Sequence, residues 1–350
     1  MRMRVLIATV AGAAVTACSS GHPPSMAPAT SSVALTPAAI SSATAVETPP
    51  PPSSSDTRQA LAAGQVSQAI TEAALHEHLA ALQAIADANG GTRATGTPGF
   101  DESLRYVETT LAGAGYVVER QPFEAAGVTS ANVVVERAGA TRDEVVILGA
   151  HVDSVAAGPG INDNGSGVAA LIVIAARLSE LPRPDRTIRF AFWGAEEGGP
   201  FGSAAYVGSL EPDQRAHIVA YLNFDMIGSP NAIRFVYDEA GAVAGSDAIT
   251  RLFAGALESA GLAWEPIDLE GDSDHGPFSE AGIATGGLFS GGIEPKTADQ
   301  AVTFGGRAGE PADACSHRAC DTIDNVDLST LEDMTDTIAE VLIRLANADG

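Results

Sequence analysis

Three short segments gather the residues able to do chemistry. They are Ala150-His151-Val152-Asp153 with Asn162-Asp163-Asn164-Gly165 after it, then Gly194-Ala195-Glu196-Glu197, then Asn223-Phe224-Asp225. Each follows an apolar run that reads as a buried strand. Imidazole and carboxylate are therefore delivered where strands end and loops begin, the place where open α/β sheets build their sites. A His, an Asp, a Glu pair and a further Asp, with one more His downstream, is a donor set for two zinc ions sharing a water.

Taken singly, most of these residues have an ordinary reading. His151 and Asp153 stand two apart in extended chain, so their side chains share a side and Asp153 can orient the imidazole, as carboxylates do for ligating histidines. Alone, the pair would be a polar strand end, and Asp163-Asn164-Gly165 would be a turn. Their closeness in the chain makes Asp163 a carboxylate able to bridge two cations, with Gly165 and Gly167 letting the backbone turn tightly into the next helix. Glu196 and Glu197 follow Phe190-Ala-Phe-Trp-Gly-Ala, an apolar run that argues against a solvated surface pair. Two neighbouring carboxylates divide the work: one can ligate while the other moves protons with a raised pKa. Asp225 ends the run Tyr221-Leu-Asn-Phe and needs a cation or hydrogen bonds there.

The chain has seven histidines. His22 lies in an N-terminal tether. His76 and His78 are two apart on an expected helix and point to different faces, and His217 reads as surface. Either His275, in Ser273-Asp274-His275-Gly-Pro-Phe, or His317, between Cys315 and Cys320, could complete the centre.

The elements that must hold these residues follow from periodicity. Helices are expected over 71–89, 99–112, 165–178, 201–209, 246–260 and 328–346, and strands over 116–123, 131–135, 145–150, 187–193, 220–224 and 285–289. Strands alternating with helices imply an α/β fold, a mostly parallel mixed central sheet sandwiched by helices on both faces.

Of the 350 residues, residues 1–18 read as an export signal. A basic start is followed by an apolar run over 5–17 that is too short to span a bilayer. The run closes in Val15-Thr16-Ala17-Cys18, which resembles a bacterial lipobox in which Cys18 is lipidated; cleavage near Ala17 as an ordinary signal peptide is the alternative. Residues 19–62, rich in Ser, Thr, Pro and Ala, cannot bury enough apolar surface to fold and read as a tether. Residues 63–350 suffice for one large α/β domain. The protein is expected to be exported, either anchored through Cys18 or secreted, with no other membrane contact. A net charge of −25 excludes nucleic acid as a partner, because no basic stripe exists to neutralise phosphates. In an exported chain Cys315 and Cys320, five apart, read as a disulfide; a thiolate metal site would need a second cysteine pair.

Together these motifs resemble the co-catalytic two-zinc aminopeptidases secreted by bacteria, a family related to glutaminyl cyclases and glutamate carboxypeptidase II. The resemblance runs from about Leu75 to Leu345 and rests on motifs in family order. These are His-Val-Asp-Ser, Asn-Asp-Asn-Gly-Ser-Gly, Trp-Gly-Ala-Glu-Glu, Asn-Phe-Asp-Met-Ile-Gly-Ser, Ser-Asp-His-x-Pro-Phe and Cys-x-His-x-x-Cys-Asp. It implies the zinc exopeptidase (phosphorylase/hydrolase-like) fold and two zinc ions. His151 and Asp225 would hold one zinc, Glu197 and His317 the other, and Asp163 would bridge them. Glu196 would be the general base, and Asp274 and His275 would support the substrate pocket. Peptides with a free, apolar N-terminal residue would be the substrates of a monomeric enzyme. Calcium is not supported by the sequence. One departure is Ser316, where the family commonly places an aromatic residue that can donate to the oxyanion. Related readings are a carboxypeptidase or cyclase-like hydrolase, although cyclases typically carry Trp at that position, and a binding lipoprotein that keeps the fold.

Overall fold

In the computed structural model the described residues are 62–125, 127–141, 143–238 and 243–347. Cys18 and the tether up to residue 61 lie outside them. Val145-Val-Ile-Leu148 has no polar alternation, so it must be covered on both faces. It forms β3 (Val145–His151), buried along its whole length. The other strands are β1 (Val118–Ala125), β2 (Val128–Arg137), β4 (Thr187–Trp193), β5 (Ile218–Phe224), β6 (Phe235–Tyr237), β7 (Glu265–Ile267) and β8 (Thr285–Phe289). Their order in the sheet is β1-β2-β4-β3-β5-β8-β6-β7. The central run β4-β3-β5-β8 is parallel, and β2 joins it antiparallel. The expected α/β architecture is the one observed.

Alternate residues along the strands feed two apolar clusters, one per face. Val146, Leu148, Phe190, Phe192 and Leu222 join residues of α1 (Glu72–Ala88), α2 (Pro98–Gly113), α3 (Ser166–Ser179), α5 (Ser246–Ser259) and α6 (Leu328–Ala346). Val145, Ile147, Trp193 and Tyr221 instead join Tyr206 of α4 (Phe201–Ser209) and Phe278. Local signals set the helix starts. Thr71, Thr97 and Asp327 each accept an amide N–H of the first turn, and Pro98 opens α2, as N-cap chemistry requires.

Three expectations shift. The first strand begins at Val118, two residues late, with Val117 exposed. The 165–178 helix begins at Ser166, after a wide turn over Ile161–Gly165. The three-residue strands β6 and β7 have no sequence counterpart, because so short a run shows no period.

Candidate metal centre

Register brings the motifs to one edge. In the parallel ladder His151 pairs with Trp193 and Gly149 with Asn223. Asp225, two beyond Asn223, is therefore level with His151, and Glu196 and Glu197 leave just past Trp193. A left-handed Ala195 (φ 60°) turns the chain after β4. Asp163 comes from the Ile161–Gly165 turn, which is reached through a left-handed Gly160 (φ 63°). His317, also left-handed (φ 58°), sits in a loop closed by the Cys315–Cys320 disulfide, with Cα atoms 5.2 Å apart.

Asp163 stands between two donor groups. Its Oδ1 lies 3.3 Å from His151 Nε2, and its Oδ2 lies 3.1 Å from His317 Nε2. Asp225 Oδ1 is 3.4 Å from the same nitrogen of His151, and Glu197 Oε2 is 3.1 Å from that of His317. Two triads result, His151 with Asp163 and Asp225, and Asp163 with Glu197 and His317. Glu196 Oε2 lies 3.8 Å from His151 Nε2, beside the first triad and outside both.

A cation fits this arrangement. Among the described residues His151 Nε2, Glu197 Oε1 and Asp225 Oδ1 are buried with no hydrogen-bond partner. Each such atom costs about 1–3 kcal/mol unless satisfied. Mixed imidazole and carboxylate donors suit zinc, whereas calcium sites are built from oxygen alone.

The charges respond to this crowding. Burial opposes a charged His151 ring, yet Asp225 and Glu196 hold its pKa well above the usual imidazole value. Burial also opposes the Asp163 carboxylate, and contact with His151 and His317 overcomes it, keeping this carboxyl well below the usual range. Burial raises Glu196 strongly, with Asp225 and Asp274 reinforcing it against His151. Burial and then Asp163 push Glu197 up to about 8. Contact with Asp163 lifts His317 to about 9 although the ring is 62% exposed.

Several residues that build the site had not been singled out from the sequence. Trp193 Nε1 donates to the Tyr221 hydroxyl (2.8 Å), which donates to Asn223 Oδ1 (2.8 Å). Asn223 Nδ2 donates to Ser273 Oγ (3.0 Å), which donates to Asp225 Oδ2 (2.9 Å). This relay from the sheet core fixes the Asp225 carboxylate. Asp321 accepts the amides of Asn162 (2.8 Å) and Asp163 (3.0 Å), and burial raises its carboxyl to about 7. Arg93, fully buried, donates to the carbonyls of Val152, Pro159 and Gly160. Burial lowers its pKa to about 10 against the pull of Asp153, Asp321 and the nearer site carboxylates. Trp193, Asn223, Ser273 and Asp321 lay within the motifs but were given no role there; Tyr221 lay in the run before Asp225, and Arg93 carries no local signal.

Two expectations are corrected. His151 Nδ1 contacts the backbone carbonyl of Asp153 at 3.1 Å, while the Asp153 carboxylate is 3.6 Å away and accepts from Thr95 Oγ1 and the Glu196 amide. Past β3 the chain no longer alternates as a strand, so the oxygen nearest the ring is main-chain. Gly165 and Gly167 are not needed for turn freedom. Gly165 is right-handed, and a Cβ on Gly167 would lie 2.5 Å from both Asn164 Oδ1 and the Phe224 carbonyl, so close packing requires the glycine. Asp274 and His275, expected to support the pocket, are buried behind a cleft lining that includes Ser273. Ser316 is buried, with its Oγ 4.0 Å from Met226 Sδ, and Met226 faces the cleft.

That cleft holds about 690 Å³. Its lining joins Asp163, Glu196, Glu197, Asp225 and His317 to an apolar set of Ile233, Phe235, Ile267, Leu269 and Phe289. A larger hollow of about 890 Å³ between α5 and α6 includes none of the centre's residues.

The open α/β fold is shared with solved aminopeptidases. A solved aminopeptidase from Aneurinibacillus sp. strain AM-1 superposes with a TM-score of 0.67 at 18% identity, over 82% of this chain and 96% of that one. A zinc aminopeptidase from Bacillus subtilis gives 0.54 at 27%, over 64% and 52%. The model of peptidase family M28 matches residues 132–342, and the chain belongs to that family. It is 42% identical to leupeptin-inactivating enzyme 1 of Streptomyces exfoliatus over 80% of its own length and 63% of the relative's. It is 44% identical to a probable lipoprotein aminopeptidase of Mycobacterium tuberculosis over 57% and 42%. The chain thus spans between about two fifths and two thirds of the length of the curated relatives it matches.

Proposed function

We propose that this protein is an exported zinc aminopeptidase that removes apolar N-terminal residues from peptides. The observation that carries this reading is Asp163, whose two carboxylate oxygens face two separate donor groups. His151 and Asp225 would hold one zinc, Glu197 and His317 the other, and Asp163 both. Bound there, zinc supplies an acidified water and a polarised scissile carbonyl.

The chain's own residues then have separate tasks. Glu196, outside both triads and with its proton affinity raised by burial, takes a proton from the attacking water and passes it to the leaving amine. The relay ending on Ser273 keeps Asp225 in place. Carboxylates near the site attract a free α-ammonium and so restrict cleavage to the first peptide bond. Ile233, Phe235, Ile267, Leu269 and Phe289 receive its apolar side chain. The lipobox-like Val15-Thr16-Ala17-Cys18 and the lipoprotein relative support export with lipidation at Cys18.

Zinc content and activity on aminoacyl-4-nitroanilides, beside N-acetylated controls and a chelator arm, test the reading. Two zinc ions per chain and chelator-sensitive cleavage of free amino ends alone are expected. Two zinc ions without such cleavage would leave a hydrolase of other substrates, and no zinc would leave a binding protein.

A further inference from the structure

The chain carries a single lysine, Lys296, among its 19 Lys and Arg residues, and that lysine is only 2% exposed. Its ammonium donates to two neutral backbone carbonyls, Ala232 at 2.7 Å and Gly305 at 3.0 Å. Burial, with the nearby charge of Arg234, lowers its pKa. A buried cation held by carbonyls costs free energy that an apolar side chain of equal length would not. What it secures is therefore the pair of segments it joins.

Both segments belong to the cleft. Ala232 precedes Ile233, a lining residue. Gly305 ends the short helix Ala298–Phe304, whose Gln300 also lines it. The lysine's own backbone closes the loop, its N–H donating to the Glu310 carbonyl (2.8 Å) and its carbonyl accepting from Gly309 (2.7 Å), beside an antiparallel Pro295–Pro311 bridge. Alternate residues of extended chain point to opposite sides: Pro295 and Thr297 line the cleft, and Lys296 between them points into the flap.

We propose that Lys296 is a positioning residue that pins the 291–311 flap as a wall of the cleft, and so sets the preference for long over short N-terminal side chains. The inference rests on the aminopeptidase reading above. A wall set at the right distance is felt by a leucine side chain and not by an alanine, so loss of the pin changes selectivity without touching the reacting groups.

The test compares zinc-loaded wild type, Lys296→Met and Lys296→Gln on leucine- and alanine-4-nitroanilide. In Lys296→Met the leucine-to-alanine ratio of kcat/KM should fall about five- to tenfold, through the KM for leucine, with kcat and zinc content kept; Lys296→Gln, which retains a donor, should fall less. A ratio within about twofold of wild type in both variants would overturn the inference. A second arm needs no variant. Acylation of wild-type Lys296 by N-hydroxysuccinimidyl acetate, followed by mass spectrometry, should slow at least about fivefold with leucine hydroxamate bound, because opening of the wall gates access. An unchanged rate would also overturn it. Wild type that cleaves neither substrate would sink the aminopeptidase reading itself, whereas normal cleavage with an unchanged ratio sinks only the role of Lys296.

Discussion

Ser273→Ala tests how the centre is held. The Ser273 hydroxyl donates to Asp225 Oδ2 at 2.9 Å and accepts from Asn223 at 3.0 Å. The variant deletes both bonds and little volume. Asn223 keeps the Tyr237 hydroxyl as a partner at 3.1 Å, so the main loss falls on Asp225. A hydrogen bond to a charged group contributes about 1.5–3 kcal/mol. The Asp225 side chain is 17% exposed, so water replaces part of the loss, and about 1.5 kcal/mol remains. That is roughly a tenfold loss of affinity, at the lower end of the effect typical of residues that orient metal ligands. Zinc affinity is read by competition with a chromogenic chelator, and activity is read at saturating zinc. One site should weaken about tenfold while turnover at saturation stays within about threefold of wild type. Unchanged affinity in a folded variant would refute the argument that the relay fixes Asp225. Activity that saturating zinc fails to restore would show that the hydroxyl acts on substrate instead.

Glu196→Gln should keep two zinc ions and lose about 10²–10⁴ in turnover, the usual contribution of a general base; near-normal turnover would place the base elsewhere. Replacing Cys315 and Cys320 by Ser opens a short loop, whose closure is worth about 2 kcal/mol. The melting midpoint should fall by roughly 4–8 °C, and zinc held through His317 should be lost first on dilution. Gly149→Ala would place a Cβ 2.2 Å from the Tyr221 hydroxyl and 2.4 Å from Trp193 Nε1. Overpacking of about 1–3 kcal/mol should appear in denaturant unfolding, and an unchanged midpoint would mean that the relay can shift.

Much of the fold was legible because its central strands are near-continuous apolar runs. Thr187–Trp193, Phe201–Ser209, Thr285–Phe289 and Leu328–Ala346 occur with the expected bounds. The short β6 and β7, which bring Phe235, Tyr237 and Ile267 to the cleft, were not legible, since three residues carry no period. The residues of the centre were legible for a related reason. His151, Glu196, Glu197 and Asp225 sit at the end of a buried strand or within four positions past it, and register in a parallel ladder makes strand ends converge; Asp163 and His317 come from loops.

By itself, then, the sequence determined the sheet, the chemistry available at its edge and the identity of the residues delivered there, because burial of apolar runs is a local, one-dimensional signal. Only the tertiary structure decided which atoms face which. It turned Asp163 between His151 and His317, gave the His151 ring a carbonyl in place of the Asp153 carboxylate, and buried Asp274, His275 and Ser316 behind the cleft lining. It also joined Arg93, Ser273, Asp321 and Lys296 to partners 48 to 158 residues distant. Such hydrogen bonds depend on angles and separations set by packing across the whole domain, and no pattern of neighbouring residues encodes them.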